Sequence, residues 1–142
     1  MSETAAMRVE VVSPERMLFS GEANQVITRT LGGGEIAFLA GHAPFLGALD
    51  ACHTRIYQAD GKVVDVAIHG GFVEVSGNKV SLLTDLAELG TEIDRARAMR
   101  AKEAAEERMR GEHDADAVAS LSRAHARLAA SGGLTGTPAG AH

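Results

Sequence analysis

The residues of this chain predict an α+β fold, an N-terminal antiparallel β-sandwich followed by a C-terminal antiparallel α-helical hairpin. Three observations carry that expectation. All five aromatic residues (Phe19, Phe38, Phe45, Tyr57, Phe72) and most valines precede residue 94, whereas alanine crowds the remainder. Up to Leu83, short extended runs alternate with turn signals and no helical stretch intervenes. At Thr91 the apolar spacing changes to that of a helix. The expected division is a sandwich over 1–88, a hairpin over 89–130 and a disordered tail over 131–142, rich in Gly, Thr and Pro.

The strands follow in order. Val9-Glu10-Val11 alternates, and Ser13-Pro14-Glu15-Arg16 breaks the run. Ala23–Thr30 is extended around Val26 and Ile27. Leu31-Gly32-Gly33-Gly34 then turns the chain into Glu35–Leu39, and Gly41-His42-Ala43-Pro44 is the next break. Thr54–Gln58 and Val63–Ile68 flank a hairpin turn at Ala59-Asp60-Gly61-Lys62. Gly70-Gly71 separates Phe72–Val75, and Ser76-Gly77-Asn78-Lys79 turns into Val80–Leu83.

The first helix is expected from an N-cap at Thr91 to Arg110, with acidic residues in its first turn and Gly111 as C-cap. Asp114 or Asp116 caps a second helix running to about Ala130, and the short connection makes the pair antiparallel. Ala98, Ala101, Ala105 and Met109 form one apolar stripe; Ala117, Leu121, Ala124 and Leu128 form the other. Such small side chains bury little area, so propensity holds each helix while tertiary anchorage stays weak.

At 142 residues the chain allows one domain, or a small domain with an appendage. Its net charge is −5, all of it in residues 1–90, where six basic residues face eleven acidic ones. That balance excludes a general nucleic-acid binder. Six scattered histidines and a single cysteine, Cys52, form no metal-ligand pattern, so no metal site is expected. Cys52 and His53 are strand neighbours that face opposite ways. Gly32-Gly33-Gly34 lacks the Lys-Ser/Thr of a phosphate loop, and no G-x-S-x-G elbow occurs. No catalytic residues are expected. Residues 1–7 carry no basic and apolar targeting pattern, which makes a cytoplasmic protein the expectation.

Four motifs stand in one order: Val9-Glu10-Val11-Val12-Ser13-Pro14-Glu15, Gly34–Leu46 with Gly41-His42-Ala43-Pro44 inside it, Gly70-Gly71-Phe72-Val73-Glu74-Val75, and Ala87–Ala98 with Ile93-Asp94-Arg95-Ala96-Arg97-Ala98. In this combination residues 7–130 resemble the epsilon subunit of the bacterial rotary ATP synthase. Ala40 departs from the family's common proline, and Phe38 and Phe45 replace aliphatics. The resemblance implies a non-catalytic rotor subunit of the central stalk, peripheral to the cytoplasmic face of the bacterial plasma membrane. It implies as partners the gamma subunit, the c-ring and, through the C-terminal helices, the alpha and beta catalytic subunits.

The resemblance also assigns residues. Glu35 and His42 match the region facing the c-ring. Asp94, Arg97 and Ala98 match a motif that binds ATP in some members, with Glu88, Arg123 and Arg127 completing a regulatory site; no cofactor is required otherwise. Ala104 stands where nucleotide-binding relatives can carry a further arginine. Arginine can donate paired hydrogen bonds to phosphate, and Arg123 and Arg127 share a helix face at i and i+4. The alternative for Asp94 and Arg97 is a simple tie between hairpin and sandwich. Arg123 and Arg127, with Arg108 and Arg110, are also the basic side implied for an acidic segment of the beta subunit. A rival function is a free-standing ATP-sensing protein. A β-sandwich enzyme would need an acid/base set that the sequence does not display.

Overall fold

The computed structural model describes residues 6–111 and 114–132. Seven strands come first: β1 (Met7–Val12), β2 (Met17–Thr30), β3 (Gly34–Leu39), β4 (Phe45–Gln58), β5 (Val63–Ser76), β6 (Lys79–Thr84) and β7 (Ala87–Leu89). A single 3-10 turn, Gly90–Glu92, leads to α1 (Arg95–Gly111) and α2 (Ala115–Gly132). The sheet order is β1-β6-β5-β4-β2-β3, and β1 also pairs with β2, so five strands close on themselves. Every pairing is antiparallel except β1 with β6. Closure removes the unpaired edges that an open sheet would leave.

The strands are longer than the turn signals suggest. Thr54–Gln58 is the end of a fourteen-residue β4, and Val63–Ile68 and Phe72–Val75 are halves of one β5. Gly70-Gly71 bends β5 without ending it. The residues that join the sandwich core are Val66 and Ile68 before the bend and Val73 and Val75 after it, so the inward parity flips there. Gly71 has φ +124°, and a Cβ on it would lie 2.2 Å from the Leu83 carbonyl oxygen. Only glycine permits that passage.

Met7, Val9, Val11, Val26, Phe38, Ile56, Val66, Ile68, Val73, Val80 and Leu82 fill the interior. Their alternation with polar neighbours is the period-2 signature of a half-buried sheet. Thr28, Cys52 and Thr54 are buried among them, with the two threonine hydroxyls 2.7 Å apart.

The hairpin differs from expectation at its ends. Asp94, not Thr91, caps α1, its Oδ1 accepting the Arg97 N–H at 3.0 Å. Thr91 lies in the 3-10 turn that β7 forces before the helix can begin. Asp114 caps α2 by accepting the backbone N–H groups of Asp116 and Ala117. Helix α2 takes in Ser131 and Gly132, so the expected tail loses those two residues. Its remainder, 133–142, lies outside the described residues. Ala98 and Ala105 of α1 and Ala117 and Ala124 of α2 are buried, as the stripes require. Ala126 and Ala130 are a second buried set, packed with Ala67 of β5. Among the described residues no helix is long and apolar enough to cross a membrane.

Candidate functional site

Alternation sorts β4 and β5 onto two faces. Cys52, Thr54, Ile56, Val66 and Ile68 point inward. On the opposite face, Ala51 pairs with His69, His53 with Ala67 and Arg55 with Asp65. Glu88 of β7 lies beside Ala67. Alanines and ionisable groups make up this whole patch, and α2 rests on it.

Glu88 is the hub of the contact. Arg127 Nε donates to Glu88 Oε1 at 2.6 Å, and His69 Nε2 reaches the same oxygen at 3.2 Å. Burial alone would raise the Glu88 pKa, but hydrogen bonds from Arg127 and His69 outweigh it and hold the carboxyl below the usual range. Burial pushes His69 below the ordinary histidine value despite its bond to Glu88, and the nearby Arg127 and Arg123 charges add to that. Beyond the hub, Arg16 binds the Glu92 carboxylate through two nitrogens at 3.1 and 2.5 Å, which holds Glu92 low. Arg95 on α1 donates to Leu128 O and Ser131 Oγ at the end of α2. Gly90 approaches so closely that a Cβ there would lie 2.3 Å from the Ala130 carbonyl oxygen.

Five of the six residues implied for ATP share one cleft of about 330 Å³: Glu88, Asp94, Arg97, Ala98 and Arg127, with Glu92, Ile93 and Ala101. That volume is at the low end of ligand pockets. Among the described residues the Arg97 guanidinium has no partner, whereas Asp94 is occupied as a helix cap. Arg123 is not in this cleft. It lines a smaller one of about 230 Å³ with His69, Asp50 and Ser122, and donates to Ser120 Oγ at 3.1 Å. One helical turn shares a face but displaces the side chain by about 6 Å along the axis, which is enough to change clefts.

Glu35 and His42 are also kept apart. Glu35 accepts from Arg55 at 2.8 Å and lines a cleft of about 500 Å³ whose far wall includes Ser122 and His125 of α2. His42 lies beyond the other end of β3, past roughly 13 Å of strand from Glu35 to Leu39. Its ring meets Phe38 edge-on at 4.9 Å, and Phe45 packs on Phe38 at 5.5 Å. Phe38 and Phe45 thus build the cluster that pins this turn.

The likeness to known proteins is direct. Residues 6–90 match the family model "ATP synthase, Delta/Epsilon chain, beta-sandwich domain", and residues 91–132 match "ATP synthase, Delta/Epsilon chain, long alpha-helix domain". The chain belongs to the ATP synthase epsilon-chain family. It is 43% identical over 113 residues to the ATP synthase epsilon chain of Streptomyces avermitilis, covering 80% of this chain and 87% of that one. It is 38% identical over 135 residues to the epsilon chain of Synechococcus elongatus, covering 91% and 97%. The fold also matches a chain of the Euglena gracilis mitochondrial ATP synthase (OSCP/F1/c-ring) at a TM-score of 0.78 and 22% identity, covering 92% of this chain and 84% of that one. An epsilon chain is a non-catalytic subunit of the synthase.

Sequence reasoning about this epsilon chain missed His69, Gly90 and the Arg16–Glu92 tie. One signal for His69 was available: Asp65, Ala67 and His69 alternate with the apolar Val66 and Ile68, marking a polar outer face. What covers that face is not written in the strand.

Proposed function

We propose that this epsilon chain is a central-stalk rotor subunit that couples c-ring rotation to the catalytic head and restrains ATP hydrolysis through movable C-terminal helices. The observation that carries this reading is the seat of the hairpin. Among the described residues, the fully buried apolar contact there is Ala67, Ala126 and Ala130, with the partly buried Ile93 packed against it. At about 0.8 kcal/mol per buried methyl or methylene, three alanine methyls contribute only about 2 kcal/mol. Release would expose ionisable side chains, which water solvates well, so the arm can leave without unfolding the body.

A second surface of this chain suits the gamma subunit. A single register row on the outer sheet face runs Met17, Val12, Leu83, Phe72 and Ala48, and Leu31 bonds to Ala48 at its end. Four of these (Met17, Leu83, Phe72 and Leu31) are exposed, while the next row, Ser20, Glu10, Ser81 and Glu74, is polar up to the exposed Leu46 on β4. A contiguous exposed apolar stripe suits a stable protein partner. Because Glu35 and His42 lie at opposite ends of β3, they would meet the c-ring as separate contacts rather than as one patch.

In the docked arrangement Arg127 is bound to Glu88, Arg108 to Asp114 and Arg110 to Glu107. Release would free Arg127 for an acidic segment of the catalytic subunits. ATP as a regulatory ligand would favour the docked arm, because Arg97 and Arg127 line one cleft only there. A ligand shifts such an equilibrium by its differential affinity alone.

Deleting residues 91–142 should leave assembly intact and raise ATP hydrolysis by the complex; unchanged hydrolysis would remove the restraining role. Titration calorimetry with millimolar ATP should give heat that Arg97→Ala abolishes. Absence of heat in the parent chain would leave the cleft as a tie between hairpin and sandwich. Heat without co-purification of alpha, beta and gamma subunits would favour a free-standing sensor.

A further inference from the structure

The Glu88 hub contains a group that neither nucleotide binding nor rotor assembly uses. The His69 side chain is 2% exposed, sealed between β5 and α2. Its Nε2 faces Glu88, while Nδ1 is buried without a hydrogen-bond partner. We propose that His69 is a proton-operated latch: the docked hairpin requires a neutral imidazole, and proton uptake at Nδ1 favours release of α2 from the sheet. This rests on the movable-arm reading above.

The argument is one of valence and charge. A neutral ring donates from Nε2 to Glu88 and leaves Nδ1 as a bare acceptor, a smaller cost than an unpaired charged donor. A protonated ring has a second N–H, and a buried charged donor without an acceptor is costly. The facing groups compound this. From α2, the cations Arg127 and Arg123 repel an imidazolium. From β7, Glu88 attracts it, but that carboxylate is already bound by Arg127. From β4, Asp50 lines the cleft shared with His69, its Oδ1 accepting the Ala51 N–H. Asp85, after β6, lies against Gly70. Both aspartates belong to the sandwich, so their attraction persists when the arm leaves and largely cancels.

Departure of α2 removes both arginines and admits water to the ring. The released state therefore binds the proton more tightly. His69 is held below its ordinary value of about 6.5 in the docked state. The stabilisation of docking is therefore fully present above that value and is lost as pH falls through it toward the docked value. Each pH unit in that window shifts the equilibrium toward release by up to about tenfold.

Amide hydrogen exchange on the full chain tests this, comparing α2 with the core strands from about pH 7.5 to about pH 5 after correction for intrinsic exchange. The expected result is a loss of α2 protection approaching tenfold relative to the core. His69→Gln, whose amide can still donate to Glu88, should flatten the response, while His125→Gln on the exposed side of α2 should not. In the parent chain, the proton NMR titration of the His69 ring should fall below the ordinary histidine range. A pH response unchanged in His69→Gln, or a ring titrating at or above the ordinary value, overturns the latch. If His69→Gln does not fold, the ring titration decides alone. A parent chain whose α2 protection ignores pH also overturns it. The movable arm is judged separately, by whether Gly90→Ala loosens α2 at neutral pH while the core stays protected.

Discussion

The two faces of β4 and β5 share one backbone and serve opposite ends. Inward, Cys52, Ile56, Val66 and Ile68 join a continuous apolar core, with Thr54 buried among them. Outward, His53, Arg55, Asp65, His69 and the neighbouring Glu88 meet a helix whose buried contacts are alanines. Close-packed apolar groups give large stabilisation with no alternative arrangement. Polar groups with modest net contributions can exchange a protein partner for water. The same strands therefore hold the body together on one side and, on the reading proposed above, carry a detachable arm on the other.

The largest effect should come from the core that the inward face joins, through Phe38 of β3. Phe38→Ala removes a fully buried ring and should cost about 3–5 kcal/mol in urea unfolding, with loss of core and α2 protection together. Gly90→Ala should act on the outward face alone. The added methyl overlaps the Ala130 carbonyl and should cost docking about 1–3 kcal/mol while the sandwich's urea midpoint stays put. A lowered midpoint would show that arm and body form one cooperative unit, and the contrast would fail.

Arg127→Ala should be smaller, about 1 kcal/mol of docking, because water reaches the third-exposed Glu88 in its place. Its pH dependence follows from the direction of the Glu88 shift. A carboxyl held low when docked contributes stability above its ordinary value of about 4.3, lost as pH falls through it. The parent and Arg127→Ala should therefore converge in acid, below the window set by His69. Arg16→Ala breaks the exposed pair with Glu92 and should be the smallest change, further reduced by added salt. A large loss there would move the anchor from Glu88 to the 3-10 turn.

Much of the scaffold was legible in the residues. Ala98, Ala105, Ala117 and Ala124 stood at helical spacing and are buried, and Asp114 stood where a cap was needed. The cap of α1 was misread because Thr91 has the same local chemistry as Asp94. What excludes Thr91 is the pairing of Glu88 with Ala67, which keeps the chain extended up to Leu89. Gly70-Gly71 looked like a strand end because local signals do not distinguish a turn from a bend whose hydrogen bonds continue. Asp94, Arg97 and Ala98 of the candidate nucleotide site were legible as a motif, but the separation of Arg123 from them was not.

What the sequence by itself determined is local: which segments favour strand or helix, which side of each strand is apolar, and the Asp114 cap of α2. These follow from interactions within a few residues of the chain. Only the tertiary structure decided that His69 meets Glu88 and Arg127, that Gly90 lies under Ala130, and that Glu35 and His42 part company. Alternation tells a strand which face is polar. The partner across that face is chosen by closure of the sheet and by the path of the chain from β7 into α2.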